Sequence, residues 1–474
     1  MEPLVVLMQE TPVDRLLPLL AEKLRSGTEL KQLVAAAALA NARTFGGEDY
    51  VGFHTMMALA PAFHIAQEMP TEEQALPVFK VLYRYTNRIQ ESGERKHEGL
   101  HPVIASPESA AGGGAEALRD AVHNKDVTEA ERVFARLAQD NPDDAFNQLL
   151  HVVQESTEVH RVVLPYRAWD MLDLIGKEQA HTLLRQSVRY CVKPESGSSQ
   201  APWNTPQTLL PQLLDEHKLL GRTPGDRPLD DAALEELSQT FLTSSPDQAA
   251  AAAAAALAEG IAPAVIGEAL TMTANQLILR DFGRPPREES PGKPLGSVHG
   301  DSIGVHACDS ANVWRNRARV SNVRNGYASL ILGAYQVALD RTNRGGDFLN
   351  WQPLPLPYGW QNEQVLELTD AETLLRETDE AIRGNLQVRA SALVHHYGEL
   401  GYPASPVFAL LRRYAVSEDG ALHAEKFYRT VSEEFVATRS AFRWRHLVAL
   451  ARVTASEYGR PAPGMAQARE LLKV

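Results

Sequence analysis

Cysteine is almost missing from this chain. Cys191 and Cys308 are the only two in 474 residues, too few for a disulfide framework and in keeping with a reducing compartment. Positive charge is short as well. Lys and Arg number 47 against 60 Asp and Glu, a net charge of −13, which argues against a nucleic-acid partner because that class needs a basic face. No apolar run reaches the roughly 20 residues of a membrane-spanning helix, so no membrane span is expected. The N-terminal MEPLVVLMQETPVDRLL lacks a basic stretch followed by a sustained apolar one, so no signal peptide is expected either. A G-x-G-x-x-G fingerprint, a P-loop and a nucleophile elbow are all missing. Segments of alternating polarity are missing too, and with them any expectation of a sheet. These absences lead to the expectation of a soluble, cytoplasmic protein, and a small molecule is the expected substrate.

Helical patterning is what the chain has in plenty. Pro12 to Leu24 places Leu16, Leu17, Leu19, Leu20 and Leu24 on one side, and Glu29–Arg43, Phe53–Glu68 and Pro77–Arg88 continue the pattern. Further helices are expected over 127–139, 160–175, 180–190, 381–397 and 406–414, and a long helical region over 422–458. The run of alanines from Ala249 to Ala256 belongs in a helix of high propensity. This pattern predicts an all-α fold, a multi-helix bundle or an array of repeated helix pairs with long proline-rich loops. The expected regions are 1–110, 115–195, an irregular connection over 196–230, and 231–474, with the whole also readable as one continuous helical domain. The segments 196–230 and 345–360 are candidate lids.

His97-Glu98-Gly99-Leu100-His101 matches the zinc-protease motif HExxH letter for letter. That motif needs a helix to set its two histidines one turn apart. Gly99 within it and Pro102 directly after it make a poor helical platform, so a solvated loop is the expectation.

The stretch from 298 to 340 is denser in chemistry than any other. His299, Asp301, His306, Cys308 and Asp309 fall within eleven residues. Gly300 and Gly304 suggest a loop, after which Asp309 or Ser310 would cap a helix over 311–319. Histidines approaching a helix N-terminus favour the neutral imidazole, the form that ligates metals and takes up protons. A weak repeat extends the idea. His54 precedes Tyr83, His160 precedes Tyr190 and His306 precedes Tyr335 at spacings of 29, 30 and 29, so stacked helix pairs would turn equivalent histidines to one face.

GFHTMMALAPAFHIA, the run from His160 to Tyr190, HGDSIGVHACDSANVWRNRARVSN, NRGGDFLNW and DGALHAEKFYRTVSEEF together resemble an uncharacterised bacterial family of all-helical proteins. More remotely, a histidine followed by a short helix start is similar to the questin oxidase-like group, which implies oxidative chemistry on an aromatic substrate. The sequence reading is a metal-dependent oxidoreductase. His54, His160 and His306 form the central ligand set, His64, His181 and His423 are further metal ligands, and Asp309 and His299 are catalytic. The cofactor would be a divalent transition metal: iron, copper, manganese or zinc. A non-catalytic helical scaffold, a metal-dependent hydrolase and metal-free acid–base catalysis by the same histidines are the alternatives.

Overall fold

The computed structural model describes residues 1–92, 98–107, 114–193, 205–291, 293–298, 302–343, 348–355 and 360–474. Helix, including short 3-10 turns, accounts for 74% of the described residues. Among the described residues there are 23 α-helices and no strand, only isolated bridges. The all-α expectation holds. No helix among the described residues is long and apolar enough to cross a membrane.

The chain divides into two compact units, one formed by residues 1–209, 320–325 and 463–474, the other by 210–319 and 326–462. The first unit contains α1 (Glu2–Glu10), α2 (Val13–Arg25), α3 (Leu30–Phe45), α4 (Tyr50–Gln67), α5 (Ala75–Glu91), α6 (Gly114–His123), α7 (Val127–Asp140), α8 (Pro142–Val153), α9 (Val159–Ile175) and α10 (Ala180–Val192). The proline-rich connection expected over 196–230 holds a helix, α11 (Pro206–Glu216); its first part, 196–204, lies outside the described residues.

In the first unit α3 is the central helix. Its residues from Leu33 to Ala42 are all buried, as expected for an alanine-rich helix with no charge between Lys31 and Arg43. Glu29 and Gln32 close its N-terminus as a capping box, and Gly46, at φ 58°, ends it in the left-handed region. Then α4 packs against α3, α5 and α9 and is buried from Gly52 through Ala62. Asn41 of α3 pins it by donating to Gly52 O and Thr55 Oγ1, both at 2.9 Å. The segment 98–101 is a loop along the end of α3, with Gly99 N donating to Thr44 O and Leu100 N to Arg43 O. That agrees with the loop reading of the HExxH stretch; His97 lies outside the described residues.

The second unit adds α12 (Asp231–Thr243), α13 (Pro246–Ala258), α14 (Pro263–Leu279), α15 (Ile303–Val320) and α16 (Val323–Asn343) apart from their residues 320 and 323–325, α17 (Trp360–Leu366), α18 (Ala371–Arg383), α19 (Gln387–Glu399), α20 (Ser405–Ser417), α21 (His423–Ala437) and α22 (Trp444–Glu457). The last helix of the chain, α23 (Met465–Leu472), belongs to the first unit. Buried from Ile266 to Leu279, α14 is the second unit's core helix. It packs against α12 and α22.

Candidate functional site

The helix carrying His306 begins earlier than its glycines suggest. Residues 303–309 are helical, not loop, so His306, Cys308 and Asp309 all lie on α15. Gly304 serves packing here: a Cβ at this position would stand 2.7 Å from Ile278 Cγ1, so only glycine lets α15 approach α14 this closely. His299 and Asp301 lie outside the described residues.

One turn into α15, His306 faces His423, the first residue of α21. Their Nε2 atoms are 3.2 Å apart and their rings cross at 67°. Ala421 and Leu422, at φ 48° and 66°, hold His423 in place. Two successive non-glycine residues in the left-handed region cost on the order of 1–3 kcal/mol each, and strain of this kind concentrates at functional sites. The turn they make lets His423 Nδ1–H donate to Ala421 O at 3.1 Å. With Nδ1–H donating there, His423 Nε2 is left without a proton and can accept the Nε2–H of His306.

Beyond the imidazoles, a polar seam runs between α15 and α21 in the same direction along both helices. Thr430 Oγ1 donates to Asp309 Oδ1 at 2.8 Å. Asn312 Nδ2 donates to Glu433 and Glu434, each at 2.9 Å, and Arg315 pairs with Glu434. Burial pushes the Glu434 carboxyl up, while Arg315 and Asn312 oppose the shift. Burial, with Asp309 and Glu434 close by, also pushes the Cys308 thiol well up, so Cys308 is no ready nucleophile. Asp309, expected as a catalytic group, is buried and engaged by Thr430.

The first unit holds a second pair. His54 on α4 and His160 on α9 have ring centroids 5.0 Å apart, with Phe53 against both, at 5.0 and 4.9 Å. His54 Nδ1–H donates to Tyr50 O at 2.7 Å. His160 Nδ1–H donates to Glu158 Oε1 at 2.7 Å. Glu158 caps α9, accepting from the backbone N–H of His160 and Arg161 and from the Tyr190 hydroxyl at 3.0 Å. Burial pushes its carboxyl up, but the bonds and charge from His160 and the two backbone donors prevail and hold it down at about 2. A folded-state pKa below the ordinary 4.5 gives stability that is present above pH 4.5 and lost as pH falls below it, on the order of 1–3 kcal/mol for a carboxylate held by such donors. Glu158→Gln is therefore expected to cost the first unit about that much at pH 7 and little near pH 2. Urea unfolding at the two pH values checks it, and an equal loss at both would refute it.

The structure distributes the histidine candidates unevenly. His54 and His160 come together, and His306 lies in the other unit beside His423. His64 is exposed near the end of α4, ten residues and so roughly 15 Å of helix from His54. His181 stacks on Phe134 at 6.2 Å, its pKa lowered by burial and by Arg185. Among the described residues no three His, Cys, Asp or Glu side chains converge as a metal-ligand group. Of the three His–Tyr spacings, the structure joins His160 to Tyr190 through Glu158, while Tyr83 lies against Gly464.

Sequence reading missed Glu158, whose role depends on a turn and on two other helices. It missed as well the group around Glu155, which Arg119 and His123 reach at 2.7 and 2.8 Å. No family model, no curated protein and no solved structure matches this chain.

Proposed function

We propose that the protein is a metal-dependent oxidoreductase, with His306 and His423 as two ligands of a first-row transition metal. The observation that carries the site is the 3.2 Å between their Nε2 atoms. Two imidazole nitrogens, each about 2.0–2.1 Å from one tetrahedral ion, stand roughly 3.3 Å apart. The carbonyl behind His423 Nδ1 is the usual support of a ligating imidazole. The reaction class rests on the remote questin oxidase-like resemblance, which also makes a small aromatic molecule the substrate. Bound, such a metal would supply redox chemistry; the chain itself contributes the imidazole donors. Two buried free cysteines fit a cytoplasmic setting.

Elemental analysis of untagged protein tests this. Near-stoichiometric iron, copper or manganese is expected, lost in His306→Ala and in His423→Ala but kept in His54→Ala. No metal under several metal supplies, or the same content in every variant, would overturn the reading. Zinc alone would favour a hydrolase.

A second reading has its own support in the first unit. The dyad of His160 and an ionised Glu158 is the arrangement of an oriented general base, and it operates without a metal. It expects His160→Ala, not His306→Ala, to abolish activity.

A further inference from the structure

The second unit carries a cleft of about 480 Å³ whose lining includes neither His306 nor His423. This is within the range of roughly 300–1,000 Å³ typical of small-molecule sites. One wall is apolar: Phe282, Leu386 and Val388 line it, and Phe282 and Leu386 are 59% and 51% exposed. Together they put apolar surface in the open beside a concavity, as ligand-binding grooves do. Phe282 is also steadied for contact, meeting Trp351 edge to face at 4.1 Å.

The polar part of the lining is one-sided. Among the described residues Arg389 and Arg452 contribute to it and no Asp or Glu does, in a chain with 60 acidic against 47 basic residues. Arg452 is 4% exposed. Two of its nitrogens donate to the carbonyls of Ile278 and Asp281, while its Nε has no partner among the described residues. Arg389 is held by Glu377 at 2.7 Å. The rim is built to stay in place: Asn385, at φ 53°, is fixed by donating to Ala455 O and Tyr458 O at 2.9 and 3.0 Å, and Gln387 by donating to Gly296 O at 2.8 Å. A preformed rim lowers the ordering cost of binding.

We propose that this cleft binds a small organic anion, its aromatic or aliphatic body against Phe282 and Leu386 and its carboxylate or sulfonate toward Arg389, with Arg452 supplying positive charge behind. Planar guanidinium groups suit such oxyanions, and the apolar wall separates this ligand class from inorganic phosphate. The site stands independently of the metal reading.

The probe is 8-anilinonaphthalene-1-sulfonate, titrated by fluorescence into the full-length protein at pH 7.5, with near-ultraviolet circular dichroism confirming native packing. Saturable binding at one site per chain is expected. Phe282→Ala, at a position 59% exposed, and Arg389→Gln, whose side chain is 22% exposed and paired with Glu377, should each weaken it about tenfold. The uncharged N-phenyl-1-naphthylamine should lose affinity in Phe282→Ala and keep it in Arg389→Gln. Binding that never saturates, or dissociation constants unchanged in both variants, would overturn the site. Equal loss of both probes in Arg389→Gln would overturn its preference for anions.

Discussion

Acidification from pH 6.5 toward 3 is expected to destabilise the second unit through His446, and His446→Gln is expected to remove that part of the loss. His446 lies on α22 and is buried. Burial first, and the positive charges of Arg315 and Arg445 next, push its pKa from 6.5 down to about 3. Its Nε2 shares a hydrogen bond of 3.1 Å with Thr438 Oγ1, which the neutral ring satisfies. The unfolded chain takes up a proton near pH 6.5 and the folded unit refuses it until about pH 3. Stability is therefore fully present above 6.5 and falls by about 1.4 kcal/mol per pH unit below it, about 5 kcal/mol across the window. That is a large share of the 5–15 kcal/mol that typically separates native from unfolded protein. Glutamine keeps a hydrogen-bonding group near Thr438 and cannot be protonated. Denaturant unfolding of wild type and variant between pH 4.5 and 7 measures the slope, and a variant with the wild-type slope would sink the account. The Glu158 effect falls in the other unit and at lower pH, so the two are separable if the units unfold in separate transitions.

The helices were legible because their apolar periodicity is local. The stop of α9 at Gly176 and the start of α10 at Ala180 coincide with the sequence reading to the residue. Where reading failed, a glycine or a turn residue carried two possible meanings. Gly304 reads as a breaker by propensity, yet it sits inside α15 because a neighbouring helix needs the space. The segment 381–397, expected as one helix, is broken at Gly384 and Asn385, the latter at positive φ. The long helical region expected over 422–458 is made of two helices, α21 and α22. The site was legible only as a supply of histidines. Which imidazoles meet depends on pairings such as His306 with His423, 117 residues apart, and no spacing rule reaches that far. Glu158 was invisible for the same reason: an N-cap glutamate looks ordinary until Tyr190 arrives from the next helix.

Arg167→Met is expected to leave the first unit as stable as before or to stabilise it by about 1–3 kcal/mol. Arg167 lies on α9, two turns from His160 on the same face, and is 1% exposed. None of its three guanidinium nitrogens has a hydrogen-bond partner among the described residues. The Tyr166 ring, with its centroid 5.8 Å away, returns about 2 kcal/mol at best for a desolvated cation. Taking such a cation out of water costs several kcal/mol unless a counter-charge or hydrogen bonds compensate. Methionine fills much of the same volume with no charge to desolvate, and its flexibility suits an irregular core. Arg167→Ala is the contrasting case, since it trades the charge for a cavity and forfeits much of the gain. Arg167→Lys keeps the charge and should gain nothing. Urea unfolding of the three variants decides the matter. A loss of more than 2 kcal/mol in Arg167→Met would show that the guanidinium is paired in solution and belongs among the groups that hold the first unit together.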